Sequence, residues 1–596
     1  MNILLTAINA KYIHSNLAVY SLRACAGEYR DAVELAEYTI NNQKDYILEE
    51  LYKRRPDVLC FSCYIWNIDY VTDIAREYKK LCPSVPIWVG GPEVSYEVEA
   101  FLRENPYIDG VMIGEGEDTF RELCGYYAHK RKLSDIAGIA FRKKSADGKA
   151  GEIVFTSPRP IKNMSEIPFC YDTLDDFSNR IIYYESSRGC PFSCSYCLSS
   201  VDKTLRFRDT GIVKRELKFF IDQKVPQIKF VDRTFNCNHA HAMELWRFIK
   251  ANDNGVTNFH FEISADLLNQ EELELISDMR PGLIQLEIGV QSTNEVTIKE
   301  IHRTMKLERL KEVVRLIQSG NNIHEHLDLI AGLPYEDYDS FGHSFDEIYE
   351  LKPNQLQLGF LKVLKGSYMF EHAAEYGIVY HDKPPYEVMS TKWLSFDDVI
   401  KIKRVEDMLE VYYNSGQFEI TMKLMECIFD SAFEFFQELG DFYEANGYFG
   451  MSHSRIRRCE ILLEFLALYL HGRDSEDMTS MGLSENAGDR DNTDFDENAQ
   501  IYNMNQESLI FDLYYRENCK SRPVWATDIG SFKHMTHAYC KNGKLSHVEP
   551  FHYIFPDKHT RKLDELPKYH KEPVWALFHY DMRDPLDHQA LVEYIE

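Results

Sequence analysis

Short apolar segments alternate with amphipathic segments along the first 125 residues. The segments with the length and composition of buried strands lie at residues 3–8, 58–62, 87–90 and 110–113. Between them, apolar positions recur at helical spacing over residues 67–81 and 94–104. Alternating strands and helices predict an open parallel sheet with helices on both faces. Ligands of such sheets bind beyond the carboxyl ends of the strands, where this chain has the sequences GGPE (90–93) and GEGE (114–117).

The alternation resumes after a polar stretch, with six more strand-like segments. They lie at residues 181–186, 227–231, 258–263, 283–290, 323–330 and 355–360. Helical spacing fills the intervals between them. Repeats of this kind predict a second parallel α/β unit, a full or partial barrel.

Beyond residue 386 the strand signals stop and long helical patterns dominate. Residues 473–500 carry nine acidic and two basic side chains with few apolar ones, which predicts an exposed, mobile linker. The fold class is therefore α/β: an N-terminal doubly wound parallel sheet, a partial (β/α)6 barrel and a mainly helical C-terminal region. The predicted boundaries are 1–128 for the sheet domain, 129–178 for a connector, 179–385 for the barrel, 386–472 for a helical extension, 473–500 for the acidic flexible linker and 501–596 for the C-terminal region.

Composition and charge exclude several classes of protein. With 44% hydrophobic and 27% charged residues, the 596-residue chain is neither disordered nor fibrous. A formal net charge of −28 argues against binding to nucleic acid or to an anionic membrane surface. No apolar run reaches the ~18–20 residues of a membrane span, and the start MNILLTAINA lacks the basic region of a signal peptide. We expect a cytoplasmic protein.

Three of the 14 cysteines form a cluster directly after a predicted strand. Residues 188–200 read RGCPFSCSYCLSS, which spaces Cys190, Cys194 and Cys197 as C-x3-C-x2-C. Three thiolates can hold three irons of a cubane and leave the fourth iron open for a cofactor. A structural zinc site, which needs four ligands and would have to recruit Cys237 or His239, and buried reduced thiols are the alternatives.

The cysteine cluster resembles the signature of the radical S-adenosylmethionine (SAM) enzymes, and similar barrel motifs follow in order. They are FVDRTF (230–235), FEISADLL (261–268), LEIGVQSTNEVTIKEIHR (286–303) and DLIAGLPYE (328–336). The pattern is close to the oxygen-independent coproporphyrinogen oxidase branch, except that the glycine-rich strand-2 motif of that branch is replaced here by VDRT. The resemblance implies a [4Fe-4S] cluster on the three cysteines and SAM contacts from Tyr184, Tyr196, Asp232, Glu262, Gln291, Arg303 and Asp328.

In this family, an electron from the reduced cluster cleaves SAM to methionine and a 5′-deoxyadenosyl radical, which a barrel shields from water. Each of these matching side chains, considered alone, could equally be an ordinary polar residue at the rim of a barrel.

His324, His326 and Asp328 alternate along one predicted strand and so share a face. They suit a second metal site or hydrogen-bonded lining of the barrel, and we assign no metal and no catalytic residue.

The N-terminal sheet resembles the cobalamin-binding domain of the cobalamin-dependent radical SAM subfamily. Residues 89–123 look like the second half of that domain, and the resemblance implies cobalamin contacts from Gly90, Gly91, Glu93, Gly114 and Glu115. Small residues at strand ends let the backbone approach a flat corrin or a nucleotide tail, although tight turns use glycine in the same way. The Asp-x-His-x-x-Gly motif, which supplies a histidine to cobalt in other cobalamin proteins, is absent. The resemblance to the subfamily therefore implies a cobalamin whose cobalt has no protein histidine. Residues 64–67 or 9–12 would then line the lower face of this cobalamin.

Three hypotheses of function follow. The first is a cobalamin-dependent radical SAM enzyme, with C-methylation of an unactivated carbon as the subfamily's main reaction. The second is a radical SAM enzyme without cobalamin, whose N-terminal domain binds substrate or a partner. The third is a non-catalytic iron–sulfur electron-transfer protein. The first two imply a small-molecule substrate and an electron donor such as flavodoxin or ferredoxin, and an oxygen-sensitive cluster suggests an anaerobic cell.

Overall fold

A computed structural model describes residues 1–143, 151–480, 494–540, 545–556, 563, 566–584 and 586–595. Two mainly parallel sheets and their helices, one after the other along the chain, account for most of the first 360 residues. The region beyond them is mostly helical and ends in a small antiparallel sheet. The predicted fold class is confirmed.

The N-terminal sheet has seven strands in the order β2-β1-β3-β4-β5-β6-β7. The first five are parallel, and β6 and β7 extend the sheet antiparallel. The strands are β1 (Ile3–Asn9), β2 (Val33–Thr39), β3 (Val58–Ser62), β4 (Ile87–Gly90), β5 (Gly110–Met112), β6 (Ile139–Arg142) and β7 (Ile153–Phe155). The helices are α1 (Leu17–Cys25), α2 (Lys44–Arg54), α3 (Ile68–Leu81), α4 (Val98–Glu104) and α5 (Glu117–Tyr127).

Strand β1 shows why this sheet is covered on both faces. All seven of its residues are buried, and successive side chains point to opposite sides. Leu5 belongs to the core that contains Val19 of α1 and Phe120 of α5, whereas Leu4 belongs to the core that contains Ile74 of α3. An uninterrupted apolar run is what a strand between two helical layers requires.

The second sheet is an open barrel of six parallel strands. Its order is β15-β14-β13-β12-β11-β8. The strands, with the short β9–β10 pair beside the cysteine loop, are β8 (Ile182–Tyr184), β9 (Ser187–Arg188), β10 (Arg206–Phe207), β11 (Gln227–Phe230), β12 (Asn258–Ile263), β13 (Ile284–Gln291), β14 (His324–Ala331) and β15 (Gln355–Phe360). The helices are α6 (Thr210–Asp222), α7 (His239–Ala251), α8 (Gln270–Ser277), α9 (Glu295–Glu300), α10 (Leu307–Ser319) and α11 (Tyr338–Tyr349).

A mainly helical region follows the barrel and packs beside its last strand. Helices α13 and α15 pack together, α15 packs on α11 and α13 contacts β15. The elements are α12 (Tyr368–His372), β16 (Val379–Tyr380), β17 (Val388–Ser390), α13 (Phe396–Leu409), α14 (Glu419–Met425), α15 (Ala432–Ala445), α16 (Arg455–Ser480), α17 (Asp494–Arg516), α18 (Lys533–Tyr539), β18 (Ser546–Tyr553), β19 (Tyr569–Arg583) and β20 (Ala590–Ile595).

Two features of this region go beyond the sequence expectations. The last three strands form an antiparallel sheet that the sequence pattern did not reveal, since Pro550 and Pro573 interrupt the strand signal. The predicted acidic linker is helical at both ends, in α16 and α17, and its residues 481–493 lie outside the described part of the chain. Among the described residues, no helix combines the length and the apolar character needed to cross a bilayer.

Candidate functional site

The cysteine loop leaves the carboxyl end of β8 and is held by its own backbone. The amide of Cys190 donates to the carbonyl of Asp202 (3.3 Å), and the amide of Cys197 donates to the carbonyl of Cys194 (3.2 Å). The hydroxyl of Ser200 donates to both the Cys194 and the Cys197 carbonyls. All three thiols are free; those of Cys190 and Cys194 are buried, and that of Cys197 is half-buried. The loop therefore presents three thiols on a fixed backbone.

This arrangement bears on the zinc alternative. No group of three or more His, Cys, Asp or Glu side chains in the described residues is arranged so that it could hold a single metal ion. A cubane makes a different demand, because each of three thiolates binds a separate corner. Three thiols on one loop match that demand, whereas a tetrahedral zinc would need a fourth ligand.

A small cavity of about 140 Å³ opens beside the loop at the carboxyl ends of the barrel strands. Four of the side chains predicted to contact SAM line it together with Cys194: Glu262, Gln291, Arg303 and Asp328. They come from four places on the barrel: β12, β13, the turn after α9, and β14. Parallel strands bring their carboxyl ends to one edge, which is why residues so distant in sequence converge here.

The cavity presents polar atoms that lack partners. Within the described part of the chain, Gln291 Oε1, Arg303 Nε and Asp328 Oδ1 are buried without a hydrogen bond. Nε2 of His326 lies 3.3 Å from Asp328 Oδ1 but does not complete a hydrogen bond to it. Buried polar atoms are rarely left unsatisfied in a native protein. An amide, two carboxylates and a guanidinium in a small cavity fit the ammonium, carboxylate and ribose hydroxyls of SAM.

Gln291 reaches the cavity because β13 is irregular at its end. The pairing of β13 with β14 shifts register between Gly289 and Gln291, and Gln291 has a φ of 78°, unusual for a residue other than glycine. Gly289 accommodates the turned side chain, because a Cβ there would lie 2.3 Å from Gln291 Nε2. Strained backbone of this kind is common at functional sites.

Arg303 ties the cavity to the cysteine loop. Its guanidinium donates to the carbonyl of Gly289, to the hydroxyl of Tyr196 at 3.3 Å and to Cys194 Sγ at 3.9 Å. Tyr196, predicted from its place in the motif, therefore lies behind Arg303 and orients it. Burial of the Tyr196 phenol raises its pKa, so it stays a neutral partner of the guanidinium.

The pH dependence of SAM binding is expected to follow Glu262. Enclosure in the barrel raises the pKa of Glu262 to about 7. A carboxyl with a raised pKa is neutral below that value, so SAM, which carries an ammonium and a sulfonium, should bind more tightly as the pH rises through 7. Equilibrium dialysis of the reconstituted protein between pH 6 and 8.5 should show about a tenfold gain, the scale of one pKa unit. Glu262→Gln should remove that gain, and a slope retained in this variant would assign it to another group, such as Asp328.

Two residues predicted to contact SAM lie elsewhere. The hydroxyl of Tyr184 donates to Glu216 on α6 at 2.6 Å, and this side chain lines the larger cavity described below. Asp232 accepts hydrogen bonds from the amide of Ser186 and from the hydroxyls of Ser186 and Ser187. Its carboxylate thus fixes the backbone that leads into the cysteine loop, and it lines neither cavity.

The larger cavity, of about 590 Å³, lies between the N-terminal sheet and the barrel. Gly90, Gly91, Gly114 and Glu115 line it at the carboxyl ends of β4 and β5, as predicted from the glycine motifs. Many of the remaining walls are apolar: Leu5, Leu17, Leu22, Phe61, Met112, Met164, Ile167 and Phe169. A broad apolar chamber with glycine at its rim fits a planar cofactor as large as a corrin.

Gly91 is the position where glycine is required. Its φ is 122°, and a Cβ there would lie 2.4 Å from the carbonyl oxygen of Cys63. The two chain segments touch at this point, since the Cys63 amide donates to the Gly90 carbonyl at 2.7 Å. Gly114 has a φ of 74° and has open space where a Cβ would be. The glycines therefore make close backbone packing at β4 and leave free volume at β5.

Glu93 and most residues of the two segments predicted to line the lower face of cobalamin do not face the larger cavity. The Glu93 carboxylate accepts from the hydroxyl of Tyr386 and lines neither cavity. Tyr64 lines the larger cavity and stacks on Trp66 with ring centroids 4.4 Å apart. The side-chain amide of Asn67 donates to the carbonyls of Ile8 and Ser62, and that of Asn9 donates to the carbonyl of His14. Tyr64 is thus the member of these segments that faces the chamber.

An ion-pair network fastens the N-terminal sheet to the cysteine loop. Arg188 pairs with Glu117 at 2.7 Å, with Glu185 at 2.8 Å and with Glu115 at 3.2 Å. Arg206 adds a second bond to Glu115, at 2.7 Å. The GEGE motif therefore supplies the chamber with glycines and the domain interface with carboxylates.

Replacing Arg188 with methionine is expected to weaken this interface. The substitution leaves Glu117 and Glu185 without their cation, while Glu115 keeps Arg206. We expect the free energy of unfolding to fall by about 2 kcal/mol, less than the 3–5 kcal/mol of a fully buried pair, because Glu185 keeps contact with solvent even though Glu117 is buried. Denaturant unfolding of apoprotein measures the change. Arg103→Met, which breaks an exposed pair on α4, should cost under about 1 kcal/mol, and equal losses in the two variants would contradict the interface role.

Sequence reasoning did not select Arg233, the neighbour of Asp232. Its side chain lines both the small and the large cavity. Lys229 lies on the interior face of β11, where it donates to Glu287 at 2.9 Å. Arg233 lies in the turn after β11 ends at Phe230, so the two-residue period of the strand does not extend to it and no strand pattern identified it.

Comparison with known proteins agrees with this arrangement. Residues 3–124 match the B12 binding domain, residues 184–348 the Radical SAM superfamily and residues 374–589 a protein family of unknown function, DUF4080. The cobalamin-dependent radical SAM methyltransferase TokK of Streptomyces tokunonensis is 27% identical over 350 residues, covering 55% of this chain and 49% of TokK. An anaerobic magnesium-protoporphyrin IX monomethyl ester cyclase of Rubrivivax gelatinosus is 23% identical over 344 residues, covering 55% of this chain and 60% of the cyclase.

The fold is also that of a solved structure, the cobalamin-dependent SAM radical enzyme OxsB with aqua-cobalamin and SAM bound. The TM-score is 0.54 at 15% identity, over 86% of this chain and 79% of OxsB. This chain joins a B12-binding domain to a radical SAM domain and is homologous to cobalamin-dependent radical SAM methyltransferases. The radical SAM domain implies a [4Fe-4S] cluster and SAM, and the B12-binding domain implies cobalamin. The chain spans less than two thirds of the length of either curated relative described here.

Proposed function

We propose that the protein is a cobalamin-dependent radical SAM enzyme that methylates an unactivated carbon of a small-molecule substrate. The observation that carries the proposal is the adjacency of the two cavities. One is bounded by Cys194 and four of the residues predicted to contact SAM, the other by the glycines of the B12-binding domain, and Arg233 lines both. A substrate between them meets both cofactors.

The chain's own side chains account for binding and orientation. The three cysteines would hold three irons of the cluster, while Glu262, Gln291 and Asp328 would receive the ammonium and ribose hydroxyls of SAM. Arg303, held by Tyr196 and Gly289, would receive the carboxylate of SAM beside Cys194. When bound, the reduced cluster and SAM would supply a 5′-deoxyadenosyl radical, and cobalamin would supply the methyl group. The barrel strands and the apolar chamber exclude water from the space between.

Anaerobic reconstitution with iron, sulfide and cobalamin tests this proposal. We expect cobalamin to remain bound through gel filtration, and a one-electron donor such as flavodoxin or ferredoxin to drive formation of 5′-deoxyadenosine. The nucleoside without retained cobalamin would favour a cobalamin-free radical SAM enzyme. A cluster that forms no nucleoside would indicate an electron-transfer protein.

Methyl transfer needs its own measurement. A strain lacking the protein should accumulate a metabolite that reconstituted protein converts to a product heavier by one methyl group. With SAM deuterated at the methyl group, the product should carry three deuterium atoms. A product without added mass from the label would contradict methylation.

A second candidate is a cobalamin-dependent radical reaction without methyl transfer. It is favoured by the similarity over 55% of this chain to a relative named as a cyclase rather than a methyltransferase. The same residues would bind the same cofactors. The label experiment separates the two, since this candidate predicts a product that retains no deuterium while 5′-deoxyadenosine still forms.

A further inference from the structure

Arg233 occupies the boundary between the two cavities. It follows β11, and its side chain is exposed to both the small cavity with Glu262 and Asp328 and the chamber with Tyr64 and Gly91. No other residue in the described part of the chain lines both spaces. Its charge is felt on each side, because it counteracts the rise that burial causes in the pKa of Glu262 and in that of Tyr64.

The charges around the chamber are otherwise neutralised within the protein. Arg188 pairs with Glu115, Glu117 and Glu185. Arg208 pairs with Glu216 at 2.6 Å, and Asp202 pairs with Arg206 at 3.0 Å. Among the described charged residues of the chamber wall, Arg233 is the one whose side chain makes no hydrogen bond or ion pair with another described residue; its backbone carbonyl accepts from the hydroxyl of Thr234 at 2.8 Å.

The small cavity does not supply a partner either. Glu287 is already bound by Lys229 and His260, each at 2.9 Å. Asp328 lies beside His326, and Glu262 makes no ion pair with Arg233 within 4 Å in the described residues. Once SAM brings an ammonium to Glu262, no anion of the protein remains for this guanidinium.

We infer that Arg233 binds an anionic group of the substrate, a carboxylate or a phosphate. This inference rests on the proposed function, which places the substrate carbon between the two cofactors. A guanidinium presents a planar fork of donors that matches either anion in a bidentate manner. The substrate is therefore expected to be acidic, with its charged group at the junction of the two cavities.

SAM and cobalamin also carry anionic groups, and the geometry favours the substrate over both. Arg303 already provides a cation for the carboxylate of SAM, next to Cys194. The glycine rim of the chamber lies on the N-terminal sheet, whereas Arg233 belongs to the barrel side of the junction. A guanidinium serving one cofactor alone would not need to border the other cavity.

Modification with phenylglyoxal, which attacks accessible unpaired guanidinium groups, tests the inference on the reconstituted holoenzyme. Peptide mapping should show Arg233 reacting fast with cobalamin and SAM bound. Inorganic phosphate or propionate at constant ionic strength should slow that reaction at least tenfold, and neutral propionamide should not. Whichever of the two anions protects better identifies the chemical group. Arg103, exposed and paired with Glu99, is the control whose rate no probe should change.

Two results would overturn the inference: protection of Arg233 by SAM or by cobalamin alone, or equal rates with phosphate, propionate and propionamide.

The variant Arg233→Gln provides a second, independent test. It should keep the cobalamin content of the wild type and, at pH 8.5 where Glu262 is ionised, also its SAM affinity. The metabolite accumulated in the deletion strain should bind at least tenfold more weakly, with partial recovery in Arg233→Lys. A neutral metabolite, or one bound equally by Arg233→Gln, contradicts the inference. Wild-type protein without bound cobalamin or without 5′-deoxyadenosine formation would instead refute the proposed function.

Discussion

Replacing Cys190, Cys194 and Cys197 with alanine is expected to abolish the formation of 5′-deoxyadenosine. The loop that carries these residues is held by its own backbone hydrogen bonds, so the triple variant should fold and lose only its thiols. Without three thiolates no cubane assembles, and the electron that cleaves SAM has no source. We expect a fall of about a thousandfold or more, the scale on which loss of an essential reactive group is felt.

The matched control is Cys237→Ala. Cys237 is a free, half-buried cysteine, close enough to Cys190 for its pKa to be raised by that neighbour as well as by burial. Because it stands outside the motif, its loss should leave the iron content and the nucleoside yield unchanged. Equal losses in the control and the triple variant would mean that Cys237 is a ligand, and the open iron on which the proposed function depends would not exist.

Gly91→Ala is expected to destroy the cobalamin site. The added Cβ would overlap the carbonyl oxygen of Cys63 at 2.4 Å in a conformation with φ of 122°, so β3 and β4 must separate by about 1 Å to restore ordinary contact. The strained backbone costs about 1–3 kcal/mol. A wall displaced by about 1 Å should weaken cobalamin binding about a hundredfold, as similar displacements weaken catalysis.

Retention of cobalamin after gel filtration, compared with the cluster content of the same sample, measures this effect. The cluster is bound by the other domain and should be kept, which separates a local effect from a failure to fold. Gly255→Ala is the control, since Gly255 has a φ of 76° with nothing near its Cβ position and lies in the loop before β12. If both variants lost cobalamin equally, general strain rather than the chamber wall would be the cause.

Most of the strands were predictable because each is a short apolar run between turn residues. The predicted strands at 58–62, 87–90, 258–263 and 355–360 match the observed bounds. Strand β2 (Val33–Thr39) was missed because it lies at the sheet edge and mixes polar with apolar residues. The terminal strands β18 and β19 were missed because each contains a proline, which normally argues against a strand.

The candidate site was predictable in part. Glu262, Gln291, Arg303 and Asp328 were found from motif order, and they converge on one cavity. Tyr184 and Asp232 matched the motifs equally well, yet their side chains bind Glu216 and the Ser186–Ser187 turn. A motif specifies residue type and spacing, and it does not specify which side of the strand faces the lumen.

The sequence by itself determined the three clustered cysteines, the alternation of strands and helices and the glycines at the strand ends, because local spacing carries this information. Only the tertiary structure decided which carboxylates form ion pairs and which arginine side chain of the chamber wall has no partner among the described residues. Glu115 and Glu117 meet Arg188 across a domain boundary more than 70 residues away in sequence, and no local pattern encodes that pairing. Arg233 can be recognised as a candidate site residue only once the ion pairs of the other charged side chains on the chamber wall are known.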